Sequence, residues 1–169
     1  MRKRTEKLAS LGLYTALALI FSYVEALLPP LFSAVPGIKL GLPNIVVIFV
    51  LYRCGVREAF CVSLVRVAAV AVLFGSPVTF AYSVTGALLS LAVMVLLSRL
   101  DFFSIMGVSV AGGVFHNVGQ ILMAILLLGT AELGYYLVVL AVTGTLSGIF
   151  IGVCGALAVK KVPQISSKR

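Results

Sequence analysis

The sequence predicts an all-α integral membrane protein with six transmembrane helices and both ends in the cytoplasm. Three observations carry that prediction. Of its 169 residues, 62% are hydrophobic and 11% are charged, and the mean hydropathy is +1.20, whereas a soluble domain is roughly half apolar. The apolar residues fall in long runs separated by short turns. The basic residues gather at alternate turns, as they do in loops on the cytoplasmic side of a membrane.

A spanning helix takes ~20 mostly apolar residues. The whole chain, 1–169, is therefore expected to form one transmembrane domain with no sizeable soluble part. The first span, Leu8–Leu28, follows Arg2, Lys3, Arg4 and Lys7. Its apolar run exceeds the ~7–15 residues of a signal-peptide core, so it reads as a retained helix. The second, Leu40–Tyr52, is short. Pro43 suits a first helical turn, where its missing N–H has no partner to lose. The third is Val56–Phe74, the fourth Val78–Ser98, the fifth Phe103–Leu128 and the sixth Leu133–Val159. The turns Arg53–Gly55, Gly75–Pro77, Arg99–Asp101 and Gly129–Glu132 are short, which predicts antiparallel neighbours.

Six spans put the N-terminus, the Arg53/Arg57 turn, the Arg99 turn and the basic C-terminus on one side. On the other side Lys39 is the only basic residue. The net charge of +8 thus flanks the spans. Such flanks orient a chain and meet anionic lipid, so the expected partner is the bilayer, not nucleic acid.

Nine residues, Pro36-Gly37-Ile38-Lys39-Leu40-Gly41-Leu42-Pro43-Asn44, interrupt the apolar pattern between the first two spans. Irregular backbone and charge at membrane depth persist only beside protein or a water-filled cavity. The segment points to a ligand site or a pore mouth. Lys39 either bridges to Glu25 at the rim or touches ligand from a lid, and Asn44 opens the second helix.

Arg66 sits midway along the third span, where a charge costs at least ~2.5–3.5 kcal/mol. It shares a face with Ala59, Ser63 and Val70. It either pairs with an internal acid, Glu25 or the less well placed Glu58, or faces an anionic or carbonyl-rich ligand. His116, Asn117 and Gln120 cluster in the fifth span, with His116 and Gln120 on one face. Three such groups are expensive in hydrocarbon unless paired, which favours a polar cavity over plain packing. The hydroxyls of Tyr82, Ser83 and Thr85 are weaker candidates, because such groups commonly bond to their own backbone.

Small residues let helices approach closely in lipid. Gly144, Gly148 and Gly152 recur at four-residue spacing in the last span and fit packing within the bundle. Ala9, Gly12 and Ala16 share a face of the first span and fit either packing or an external partner helix.

The chain has no P-loop, so it does not hydrolyse ATP. Its one aspartate, Asp101, leaves no paired carboxylates for acid–base work or for Mg²⁺–diphosphate. With one histidine and three unpatterned cysteines, no metal site or disulfide framework is expected. No cofactor is expected either, and a binding and translocating protein fits better than an enzyme.

Pro36–Val46 resembles the Gx transporter family, also described as heptaprenyl diphosphate synthase component I. The start Arg-Lys-Arg-Thr-Glu-Lys-Leu-Ala and the run Gly112–Gln120 support that resemblance. The family is similar to the substrate-binding S-components of energy-coupling factor (ECF) vitamin transporters, which are six-helix proteins of the bacterial cytoplasmic membrane. The resemblance implies a vitamin-like ligand, such as a flavin or quinone precursor, held under the first outer loop. It also implies a transmembrane coupling subunit and two cytoplasmic ATPases as partners, with Ala9, Gly12 and Ala16 docking on the coupling subunit. The substrate residues of S-components differ between subfamilies. Lys39, Asn44, Arg66, His116, Asn117 and Gln120 therefore rest on the residue chemistry alone. The expected alternative is a non-catalytic membrane accessory to polyprenyl diphosphate synthesis.

Overall fold

The computed structural model describes residues 2–27 and 41–162. Six α-helices follow one another: α1 (Arg2–Leu27), α2 (Asn44–Arg53), α3 (Val56–Phe74), α4 (Pro77–Ser98), α5 (Ile105–Leu128) and α6 (Tyr136–Lys161). A short 3₁₀ turn, Ala131–Tyr135, leads into α6. The six helices match the six expected runs, and no strand occurs among the described residues.

The boundaries differ from the expected ones for local reasons. α1 begins six residues before Leu8, because Arg, Lys and Glu are good helix formers even where the hydropathy is low. α5 starts after Ser104, whose Oγ accepts the Gly107 N–H at 3.1 Å. α4 starts after Ser76, which exchanges side-chain and backbone hydrogen bonds with Thr79, as a capping box does.

α1, α4, α5 and the 131–161 stretch are long and apolar enough to cross a membrane. α3 has 19 residues but carries Arg57, Glu58 and Arg66. α2 has only 10 residues, about 15 Å of helix against a hydrocarbon layer of about 30 Å. It is instead the centre of the bundle. Val46 through Leu51 are all buried, as befits a helix that is apolar all round. α2 packs on α1, α3 and α6, and Tyr14 of α1 meets Phe49 edge-on at 5.5 Å.

Glycines set the tightest contacts. A Cβ on Gly113 would lie 2.5 Å from the Gly144 carbonyl oxygen, and one on Gly148 2.6 Å from Val110 Cα. The small-residue stripe of α6 is therefore packing within the bundle, against α5. Gly155 serves α2 instead: a Cβ there would meet Ile48 at 2.6 Å. On α1, Gly12 has nothing within 4 Å of a Cβ position among the described residues, and Ala9 and Ala16 are exposed beside it.

One end of the bundle collects the basic turns. Lys7 of α1 pairs with Glu58 of α3. Arg53, ending α2, donates through Nη2 to the Val159 carbonyl, a last-turn oxygen that α6 leaves unpaired. The α4 residues Ala92 and Val95 lie beside Val56 and Arg57, which brings the Arg99 turn to the same end. The Pro36–Leu40 part of the interrupting segment, Lys39 included, lies outside the described residues.

Candidate functional site

The end opposite the basic turns holds a polar cavity of about 180 Å³. Five parts of the chain build its wall. α1 contributes Ser22, Glu25 and Ala26, which share a face at three- and four-residue spacing. Asn44 comes from the start of α2, and Arg66, Val67, Val70 and Ala71 come from α3. Gly75 and the first half of α4 supply Thr79, Phe80 and Ser83, and α5 supplies His116 and Gln120.

Arg66 owes its position to its helix face. Ala59 and Ser63, on the same face, are buried, which turns the stripe inward. The Arg66 Nε is buried and has no hydrogen-bond partner among the described residues. Glu25 acts on it electrostatically. Of the two acids considered as its partner, Glu58 is engaged by Lys7 instead.

Glu25 also accepts a hydrogen bond from the Gly41 N–H. Gly41 adopts φ +72°, a left-handed conformation that costs little only without a Cβ. Its carbonyl accepts the Asn44 N–H at 2.8 Å, so one glycine turns the chain into α2 and sets Asn44 at the cavity. Pro43 is fully buried at the N-cap of α2, in keeping with its expected place at the helix start.

His116 and Gln120 reach the cavity because α4 and α5 approach closely. A Cβ on Gly86 would lie 2.8 Å from the His116 carbonyl oxygen and 3.0 Å from Gln120 Cγ. Gly119 similarly faces Thr85, with a Cβ at 2.8 Å from its carbonyl oxygen.

The cavity thus brings together Asn44, Arg66, His116 and Gln120 among the residues singled out from the sequence. Asn117 is not part of it. Its Nδ2 donates to the Leu140 carbonyl of α6 at 2.7 Å, because a one-residue step from His116 turns it by about 100° toward the next helix. Sequence reasoning undervalued Glu25 and Ser83 and missed Ser22. The i, i+3 spacing of Ser22 and Glu25 was a usable signal, whereas Ser83 looked like any hydroxyl in a span. Thr85 does bond back to its own helix, at the Ala81 carbonyl. No group of three metal-ligating side chains occurs among the described residues.

A sequence model of the family described as heptaprenyl diphosphate synthase component I matches residues 14–158. Comparison with curated proteins and with solved structures gave no match.

Proposed function

The chain belongs to the heptaprenyl diphosphate synthase component I family, and we propose that it acts as a membrane binding protein of the S-component kind. In this reading it captures a small molecule in the Arg66 cavity and releases it into the cytoplasm with an ECF ATPase module. In this reading the chain is not itself a catalyst, in keeping with a sequence whose only aspartate is Asp101.

The observation that carries the reading is Arg66 itself. A charge in hydrocarbon costs at least ~2.5–3.5 kcal/mol, and the buried Nε lacks a hydrogen-bond partner among the described residues. An anionic or carbonyl-bearing ligand would satisfy it, with His116, Gln120 and Asn44 supplying further hydrogen bonds. The cavity of about 180 Å³ is smaller than the ~300–1,000 Å³ of drug-sized sites. It suits a compact molecule, such as a quinone precursor, or the head of a longer one, better than a whole flavin. The charge bias supports basic ends in the cytoplasm and a cavity in the outer half of the membrane, and the resemblance to S-components implies a bacterial cytoplasmic membrane. Ala9, Gly12 and Ala16 leave a free face on α1 for a coupling subunit. Two cytoplasmic ATPases would supply the ATP hydrolysis that this chain cannot.

The family description favours a second reading, a membrane accessory to heptaprenyl diphosphate synthesis, which predicts copurification with a soluble prenyl synthase. Purification in mild detergent followed by mass spectrometry of bound molecules and partners separates the two. Arg66→Ala is expected to keep the fold and lose the bound molecule. Unchanged retention in that variant would sink the proposed site.

A further inference from the structure

The wall of the Arg66 cavity carries charge of both signs. Glu25 from α1 and Arg66 from α3 both line it, and the carboxylate acts electrostatically on the guanidinium. Glu58, the acid on α3 itself, is engaged by Lys7 at the other end of the bundle. Among the described lining residues one acid thus stands against one base, and His116 is the only other titratable side chain.

Charge balance decides what such a site accepts. Taking an ion out of water costs several kcal/mol unless opposite charge faces it. An anion on Arg66 would meet Glu25 already there and leave the cavity with a net negative charge. A neutral molecule leaves the balance untouched. The hydrogen-bonding groups then set its polar edge. The Arg66 Nε is buried without a hydrogen-bond partner among the described residues, and a guanidinium only donates. An ionised carboxylate only accepts, at about four positions, so the bond from the Gly41 N–H does not exhaust Glu25. That bond also anchors the carboxylate to backbone before a ligand arrives. A carbonyl beside an N–H answers both residues, whereas a carboxylate or phosphate answers Arg66 alone.

We infer that the cavity selects a net-neutral ligand with an amide edge, its C=O on Arg66 and its N–H on Glu25, and that Glu25 keeps anions out. The inference rests on the binding reading of the cavity. It narrows the ligand from anionic or carbonyl-bearing to neutral and carbonyl-bearing, and it makes Glu25 the residue that sets specificity. Asn44 and Gln120, whose amides both donate and accept, line the same wall and suit such an edge.

The test uses the full chain in nanodiscs at mildly alkaline pH, above the ordinary histidine range. The probes are para-fluorobenzamide and para-fluorobenzoate, which share a shape and differ in charge. Fluorine NMR reads their binding, with empty nanodiscs subtracted. The wild-type chain should bind the amide at least about tenfold more tightly, a difference of about 1.4 kcal/mol. Desolvation also disfavours the benzoate, so a variant decides the role of Glu25. Glu25→Gln keeps an acceptor for Gly41 and leaves Arg66 unbalanced, and should raise benzoate affinity about tenfold. Adding Arg66→Gln restores neutrality and should remove that gain. Thermal melting checks that each variant folds. Equal binding of the two probes by the wild-type chain overturns the inference without any variant. Benzoate still excluded by a folded Glu25→Gln chain overturns the role of Glu25. Amide binding that Gln120→Ala leaves unchanged lies outside the cavity and also overturns the inference. Binding of neither probe by either chain overturns the binding reading as well.

Discussion

Glu25, in the last turn of α1, accepts a hydrogen bond from the backbone N–H of Gly41, sixteen residues along the chain. The same carboxylate acts electrostatically on Arg66. One acid therefore links the end of α1, the junction before α2 and the charge inside the cavity. Gly41→Ala should destabilise the protein by about 1–2 kcal/mol, the cost of a left-handed backbone for a residue with a Cβ. The added Cβ would also press on Asn44 Nδ2 at 3.2 Å. Glu25→Ala should cost about 1.5–3 kcal/mol, as expected for a lost hydrogen bond to a charged group. Denaturation in detergent monitored by circular dichroism reads both effects.

Asn117 and Gln120 are three residues apart but should behave in opposite ways. Asn117 ties α5 to the Leu140 carbonyl, so Asn117→Ala should lose about 1 kcal/mol of stability and keep ligand retention. Gln120 lines the cavity, so Gln120→Ala should keep stability and weaken retention. Melting curves together with mass spectrometry of the bound fraction distinguish the two.

The two small-residue stripes should separate just as clearly. Gly113→Ala drives a Cβ to within 2.5 Å of the Gly144 carbonyl oxygen, and overpacking of this kind costs about 1–3 kcal/mol. Gly12→Ala meets nothing within 4 Å among the described residues and should change stability by less than about 0.5 kcal/mol. If a coupling subunit docks on α1, Gly12→Leu should reduce its copurification without unfolding the chain. Full copurification would remove that face from the proposal.

Cys54, in the turn between α2 and α3, has its thiol pKa pushed up by burial and by the nearby Glu58 carboxylate, with Lys7 opposing. A raised pKa leaves less thiolate at neutral pH, and thiolate is the reactive form. With Cys61 and Cys154 replaced by serine, alkylation of Cys54 should therefore inflect at higher pH than an ordinary thiol. Glu58→Gln removes the raising charge and should move the inflection down. An inflection that does not respond to Glu58 would contradict the geometry.

Much of the fold was legible because lipid imposes a simple rule. Backbone groups must be satisfied within each helix, so apolar runs and the turns between them mark the elements. Arg66 and the pair His116 and Gln120 stood out for the same reason, since each is costly in hydrocarbon unless something faces it. Other features were not legible. Asn117 differs from His116 by one residue of helical phase, and only the position of α6 shows which of them meets the cavity. Glu25 looked like a partner for Lys39 or Arg66. Its bond to the Gly41 backbone depends on how the chain re-enters α2, which periodicity does not encode.

The sequence by itself determined six helices, their order, and which polar residues needed an explanation. These follow from local hydropathy, turn residues and the cost of charge in an apolar medium. Only the tertiary structure decided the rest. It made α2 the buried centre of the bundle, set the α6 glycines against α5 and α2, left Gly12 open, and gathered Glu25, Asn44, Arg66, His116 and Gln120 around one cavity. Those outcomes depend on which helix faces meet and how closely. Close approach is set by glycines on two helices at once, so no single stretch of sequence contains it.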